Sequence, residues 1–551
     1  MKTKTKTSAA SLTCHRLLCL ATLLLLASPL LHAQGRSGTL KGQISLRGEN
    51  ATISTLRPGE LQALFPPELI NDIMRVRIEG PIDAEDMKFL KRLATRGYVK
   101  NSKGRGQQTF LDLDLRHAQI VRDTPFGRNA PLESLPSSAF SGWNCLRSVV
   151  LPSHVRVISS YCFSSCSRLE MVEMPRHLQS IGQNAFHSCS KLEDAIIPNG
   201  VTELGSGCFS GCSKLANIML PEGLTAIPDN ALNGTAITNI TIPSNVRQIG
   251  SEAFANTNLS YIEIPSNVQK LSADAFNGCQ KLTAIAVHPA NQAYADADGL
   301  LCDKELTTLI CCPQGIKGEL TLPASIINIG PGALSNCQGL NTVVLPTALR
   351  SIGNRAFSGC RSLRGVEMSA SLEEIGNEAF ANCRSLTSMA LPQNLSRMGT
   401  ALFSGCTALT DVQLPARLNR IPERTFKNCS SLRDIKLPQT VTAIDREAFY
   451  ACKSLARIVL PEAVESFGKE CFRKCETLLA FLFPPRTAEV GDRMLYDCDA
   501  LREVVMPIAA PPQVKHVCDV KQAVLIVPVG AAATYGKANG WKKFKTIRES
   551  E

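Results

Sequence analysis

Cysteine is the residue with the most chemistry to offer in this chain, which carries 22 of them. Twelve recur at one frame position: 166, 189, 212, 279, 337, 360, 383, 406, 429, 452, 475 and 498. The pairs Cys162/Cys166, Cys208/Cys212 and Cys471/Cys475 superficially have the spacing of metal ligands. Zinc, however, needs close pairs gathered around one point. The first cysteine of each pair only replaces an alanine that elsewhere precedes a recurring phenylalanine. Disulfides need side-chain vectors that converge, whereas cysteines at one position of a stacked repeat all point the same way. The spacing therefore predicts an inward ladder of small packing thiols. Thr235 and Thr257 replace the thiol in two units, as a packing position allows. Cys145, Cys302, Cys311, Cys312 and Cys518 lie off the ladder and are the residues any disulfide would use.

Other reactive constellations are missing from the sequence. His117, His154, His177, His187, His288 and His516 occupy variable positions, and no two share a metal or triad spacing. There is no H-E-x-x-H, G-x-S-x-G or phosphate-binding loop. Asp296, Asp298 and Gly299 resemble part of a calcium loop, but no glutamate closes it, and a turn is expected. No catalytic residue, cofactor-binding residue or metal ligand is nominated. The chain reads as a binding scaffold, not an enzyme.

What positions these residues is a repeat. The 23 residues from Leu345 to Glu367 set a frame that recurs with proline at 152, 175, 198, 221, 243, 265, 323, 346, 392, 415, 438, 461, 484 and 507. The step drops to 22 residues at two units, Pro221 to Pro243 and Pro243 to Pro265. A degenerate first turn carries Leu132, Leu135, Phe140, Trp143, Leu146 and Val149, giving fifteen turns. In the type unit Leu363, Val366 and Met368 point inward, the last two alternating with exposed Gly365 and Glu367 at strand period. Pro346 ends the preceding strand, Leu349 and Ile352 form a second inward edge, and Ala356 and Phe357 fill the space between coils. One unit cannot bury its own apolar side, but stacked units share a core. Fifteen coils at a strand spacing of ~4.8 Å would make a rod on the order of 70 Å long.

This frame, Leu-Pro-x-x-Leu-x-x-Ile-Gly-x-x-Ala-Phe-x-x-Cys-x-x-Leu-x-x-Val, resembles the BspA-like (treponemal-type) leucine-rich repeat over residues 132–507. The segment from Met74 through Leu90, followed by Leu111 to Ile120, is similar to the pre-repeat region of such proteins. Leu525 to Gly530 with Tyr535, Trp541 and Phe544 is similar to their C-terminal segment. The resemblance implies an α/β repeat: a right-handed leucine-rich-repeat solenoid of 23-residue coils, parallel strands on one face and flanking caps. It also implies cell-surface or secreted proteins of host-associated anaerobic bacteria, some of them adhesins, and it brings no catalytic residues.

Six regions are expected. Residues 1–33 read as a signal peptide, with basic Lys2, Lys4, Lys6 and Arg16, an apolar run from Leu17 to Leu31, and cleavage after Ala33. Residues 34–127 form an N-terminal cap in which Asp83 starts a helix through Ala94 with Met87, Leu90 and Leu93 on one face. Repeats fill 128–287 and 322–507, interrupted by a hairpin-like insert at 288–321 with strands at 299–302 and 307–311. Residues 508–551 make a C-terminal cap with a strand at 524–527 and a short helix at 531–538. Beyond the leader no apolar run is long enough to span a bilayer, so an exported protein is expected, on the surface, secreted or periplasmic.

Without the four basic residues of the leader, 55 basic and 48 acidic side chains remain, a formal +7. Nucleic acid would want a clustered basic face. The nearest is the run Lys91 to Arg128, with Arg92, Arg96, Lys100, Lys103, Arg105, Arg116 and Arg122, which reads as solvated surface. Binding on a solenoid comes instead from variable positions that array across neighbouring coils. The outward strand positions Met171, Glu173, Asp194, Ile196, Asn217, Met219, Asn239, Tyr261 and Glu263 form the candidate protein-binding face. The expected partner is a protein, of host matrix or a bacterial surface, with no nucleic acid and no cofactor. A structural envelope or periplasmic scaffold is the alternative. A carbohydrate-binding accessory ranks third, because 2 Trp and 7 Tyr are too few for an aromatic row.

Overall fold

A computed structural model describes residues 42–96, 98–100, 106–121 and 132–550. The signal peptide, and Lys103, Arg105 and Arg122 of the basic run, lie outside the described residues. One face of the stack is built from three- to five-residue strands that follow the frame leucine in most coils. Asp194–Ile196 pairs in register with Asn217–Met219, Tyr261–Ile264 with Ala284–Val287, and Leu340–Val344 with Gly365–Glu367, all parallel. A second ladder of two-residue strands runs along the Leu-x-x-Ile edge, as in Ser351–Ile352 paired with Glu374–Ile375. Parallel strands thus line two faces, not one.

Between the Ile-Gly and Cys positions the coil makes consecutive turns, with left-handed residues four apart, such as Arg355 (φ 58°) and Gly359 (φ 78°). The second of these is glycine or asparagine in most coils, the types that tolerate positive φ. Alternate amides of this turn donate to the next coil: Arg355 to Asn377 O, Phe357 to Ala379 O and Gly359 to Ala381 O, each at 2.8 Å. The turn edge is thereby a third hydrogen-bonded ladder. The Ile-Gly glycine has a steric reason, since a Cβ on Gly353 would stand 2.6 Å from Pro331 N. This turn occupies the part of the coil where an α/β repeat would place a helix. Among the described residues the α-helices are Leu61–Leu64, Ala84–Ala94 and Ala532–Tyr535, all in the flanks.

The caps belong to the same stack. Asn50–Ser54, Arg75–Ile82, Leu111–Ile120, Leu146–Val150 and Met171–Glu173 run parallel in one sheet, with Gln43–Arg47 antiparallel at its edge. At the other end Ala480–Leu482, Glu503–Val505, Val524–Val527 and Thr546–Glu549 continue in parallel. The fifteen recognisable turns become about 21 coils. The helix Ala84–Ala94 starts at Asp83 in a capping box with Asp86. Its inner face is centred on Phe89, Leu90 and Leu93, while Met87 is only half-buried. The C-terminal helix is one turn, Ala532–Tyr535, shorter than expected from the sequence.

The insert is a three-stranded meander. Both expected strands form, Leu300–Asp303 and Thr308–Cys311, and Tyr294–Ala297 adds a third. Asp298 (φ 53°) and Gly299 (φ 79°) are the two-residue turn between the first two strands, the Asp-Gly hairpin signature. The last strand joins the short-strand ladder beside Asn328–Ile329, and the Tyr294 hydroxyl accepts the Leu271 amide at 2.9 Å on the preceding coil. The apolar interior divides here into two clusters, one reaching from Ala51 to Cys311 and the other from Leu300 to Phe544.

Candidate binding face

All twenty described cysteines are free, and all are buried. In the 23-residue coils the ladder thiol donates back to the carbonyl of the preceding coil's phenylalanine: Cys189 to Phe163 O at 3.1 Å, Cys383 to Phe357 O and Cys429 to Phe403 O at 3.2 Å. That carbonyl already accepts an amide of its own coil, as Phe163 O does from Cys166 N, so the thiol uses its second lone pair. Above the thiols the phenylalanine rings stack, Phe163 on Phe186 and Phe186 on Phe209 at 5.2 Å, and Phe357 on Phe380 at 4.9 Å. Burial pushes the Cys208 and Cys518 thiols up to about 12, which keeps them protonated and unreactive at neutral pH. Among the described residues no group of three His, Cys, Asp or Glu could hold a metal ion.

Among the described residues of the basic run, several cations are already engaged. Arg96 is spent on main-chain carbonyls, Leu93 O at 3.0 Å and Ile73 O at 2.7 Å. Arg116 holds Glu173 through two 2.9 Å contacts, and Arg92 holds Gln62. The long-strand face nearby is similarly self-satisfied. Arg147 packs 3.6 Å from the Phe110 ring centre and binds Asp112, which also accepts from Ser148 at 2.8 Å.

Three coils further on the character of this face changes. Ile196 and Met219 stand directly side by side in register, 79% and 80% exposed. Asp194 and Asn217 stand side by side in the parallel row, and Met171 (55%) and Tyr261 (50%) project from the coils before and after. The structure therefore brings four of the nominated residues, Asp194, Ile196, Asn217 and Met219, together in two rows. Glu173 is engaged by Arg116, and Asp194 accepts from Asn217 at 2.7 Å. A second apolar run lies on the same face near the C-terminus: Val459, 77% exposed, then Leu482 beside Val505. These three residues lie outside the candidate face read from the sequence. Counting apolar residues along the second outward row would have found them.

No feature of the sequence points to the groove beside Tyr261. The strand position 239–242 is the one coil between Leu146 and Val527 with no strand or bridge pairing. Ala236 N still bonds Leu215 O at 2.9 Å, but no main-chain hydrogen bond involves Asn239, Ile240, Thr241 or Ile242. This is where the 23-residue frame meets the first 22-residue coil, whose missing residue falls between Thr235 and Ile237. The shorter loop turns Thr235 Oγ1 back onto its own Leu232 O at 2.8 Å, where a cysteine would have reached to the coil before. The strand that follows leaves the ladder, and a groove of about 510 Å³ opens from Thr238 and Asn239 past Tyr261 and Glu263 to His288. Another crevice of about 520 Å³, formed by Gln513–His516 and Asn539, lies at the C-terminal end, far from this face.

The profile of the BspA-type leucine-rich repeat region, in six copies, matches residues 133–259, 248–295, 316–429 and 397–511. The chain belongs to the BspA-type leucine-rich-repeat family. Among solved structures it is similar to a leucine-rich cell surface protein from Faecalibacterium prausnitzii A2-165, with 26% identity and a TM-score of 0.51, over 74% of this chain and 95% of that one. A T. pallidum leucine-rich repeat protein is 31% identical over 35% of this chain and 90% of its own, with a TM-score of 0.30. No curated protein matches the chain. Among the described residues of this BspA-type solenoid, no helix is long and apolar enough to cross a membrane.

Proposed function

We propose that the chain is an exported, non-catalytic scaffold that binds a protein through its long-strand face, in the manner of an adhesin or host-interaction protein. The observation that carries this reading is the pairing of Ile196 with Met219, two large apolar side chains about four-fifths exposed and flanked by Met171 and Tyr261. Exposed apolar groups gathered on a rigid sheet are costly in water and mark interaction surfaces. In the coils before them the acidic side chains Glu173 and Asp112 are taken up by Arg116 and Arg147. The Faecalibacterium prausnitzii relative is named a cell surface protein, which supports an outer location for this chain.

The test has two arms. Protease treatment of intact cells should digest the protein, and the purified chain should bind an immobilised panel of extracellular matrix proteins or whole bacteria. Replacing Ile196 and Met219 together by glutamate should weaken that binding about a hundredfold, as expected for loss of two central apolar anchors. Full protection from protease together with no binding would favour the periplasmic scaffold instead. Retained binding by the double variant would move the contact off this face.

A further inference from the structure

The groove at the unpaired strand differs chemically from the apolar pair beside it. Most of its polar side chains have no partner among the described residues. Asn239, Thr241, Ser260, Tyr261 and Glu263 make no side-chain hydrogen bond or ion pair, although Asp112, Arg116, Asn217 and Arg457 on the same face are all engaged. His288 accepts the Ala290 amide on Nδ1 at 3.2 Å, which leaves Nε2 to carry the proton and face outward as a donor. The groove thus presents an amide, hydroxyls that both donate and accept, one carboxylate and one imidazole N–H, next to a half-exposed tyrosine ring.

We propose that this groove binds a saccharide, with an apolar face of the sugar on Tyr261 and its hydroxyls on Asn239, Thr241, Glu263 and His288. A sugar hydroxyl is at once donor and acceptor, and so matches a mixed set better than a peptide backbone or an anion does. Lysine and arginine are missing from the groove lining, and the carboxylate of Glu263 repels acids, which points to a neutral or amino sugar. The volume, about 510 Å³, falls within the ~300–1,000 Å³ of small-ligand pockets. An aromatic ring contributes apolar contact at small entropic cost, and tyrosine keeps a polar tip for water or ligand. The unpaired strand lies in the first 22-residue coil, one residue short just ahead of it. The groove needs neither the Ile196–Met219 pair nor any protein partner, so it stands or falls independently of the protein-binding reading.

Saturation-transfer NMR on the full chain, with methyl mannoside, methyl galactoside, N-acetylglucosamine and N-acetylneuraminic acid as separate probes, tests it. At least one of the three uncharged sugars should receive magnetisation, and N-acetylneuraminic acid should not. Tyr261→Ala should weaken binding about tenfold, and Asn239→Ala should also reduce it, while thermal melting stays unchanged. Ile196→Glu should leave the sugar signal intact. No transfer to any uncharged sugar, binding of the acidic sugar alone, or a signal insensitive to both Tyr261→Ala and Asn239→Ala would each overturn the proposal.

Discussion

The 22-residue coils around Thr235 and Thr257 and the 23-residue coils from Asn328 to Gly491 are built from the same frame, yet they divide its labour differently. In the longer coils every thiol ties its coil to the one before, as Cys360 does to Leu334 O and Cys406 does to Phe380 O at 3.1 Å, and six phenylalanine rings from Phe357 to Phe472 stack without a gap. In the shorter coils the threonines bond inward, at Leu232 O and Phe254 O, each 2.8 Å away. The ring stack is interrupted there by Leu232, between Phe209 and Phe254. Here the thiol-to-preceding-coil bond is replaced by a bond within the coil, the turn-edge amides still join coil to coil, and a polar groove lies on the outer face. Regularity provides cohesion, and a local lapse in it provides a place to bind.

The largest test of this contrast is in the ring stack. Phe380 lies between Phe357 at 4.9 Å and Phe403 at 6.1 Å, so Phe380→Ala should cost ~4 kcal/mol, against ~3 kcal/mol for Leu232→Ala. Because the core divides at the insert, each loss should register mainly in its own half. Hydrogen exchange read segment by segment during mild denaturation would show this. A uniform loss across all coils from either variant would mean the two halves unfold as one.

Next in size is a glutamate that both kinds of coil share. Glu447 and Glu252 occupy the same left-handed turn position. Burial disfavours the Glu447 carboxylate, but Arg424 and Lys427 outweigh it and hold its pKa down to about 2, from an ordinary 4.5. Glu252 instead accepts from the neutral amide of Asn233 at 3.1 Å. A depressed carboxylate stabilises the fold above its unfolded pKa and loses that contribution as pH falls toward the folded value. Acidification from about pH 4.5 to about 2 should therefore remove on the order of 2–3 kcal/mol from the C-terminal coils. Glu447→Gln should remove most of this pH dependence, and Glu252→Gln should leave it in place. Melting curves across that pH range would decide, and equal effects from the two substitutions would break the comparison.

The ladder position itself should show a smaller difference. Cys383→Ala removes a buried sulfur and its bond to Phe357 O, at a cost of about 1–2 kcal/mol. Thr257→Val removes the bond to Phe254 O and the 3.2 Å contact with the Cys279 thiol, but should cost about 1 kcal/mol or less, because Phe254 O keeps that thiol at 3.1 Å. Urea titration of the two variants separates them, and a larger loss from the threonine would show that the inward bond is the stronger tie.

Much of this was legible in the residues. The spacing of Pro, Phe and Cys marks the coils, the alternation at Val366 marks the strand, and Asp83 marks a helix start. The outward placement of these positions follows from strand period alone, and Asp194 with Asn217 and Ile196 with Met219 stand side by side. The flanks were harder. Val76, Ile78, Leu113 and Leu525 read as strands, but nothing in their spacing shows that they continue the repeat sheet, since the intervening segments lack the Phe and Cys of the frame. The turn between Ile-Gly and Cys was equally opaque, because its hydrogen bonds run between coils and not along the chain. The groove is a third kind of omission. The 22-residue step was visible, but what it does to pairing depends on the 23-residue coil next to it, and a sequence does not display how a ladder fails.

That dependence makes the most direct experiment a restoration. Inserting one serine between Ala236 and Ile237, together with Thr235→Cys, gives this coil the 23-residue frame of the one before it. The new thiol would then lie where Cys212 donates to Phe186 O at 3.1 Å, one coil along, and the strand would enter in register with Asn217–Met219. Each main-chain bond regained contributes about 1 kcal/mol, so exchange of the Asn239–Thr241 amides should slow about fivefold or more. Global stability should rise by about 1 kcal/mol for each bond regained. Tyr261 and Glu263 sit in the next coil, still one residue short, so the seam should move to lie between residues 241 and 261 instead of vanishing. Unchanged exchange at 239–241 would show that the groove is set by its own side chains and not by coil length. Slowed exchange with an intact sugar signal would show that the Tyr261 side of the groove is sufficient for binding.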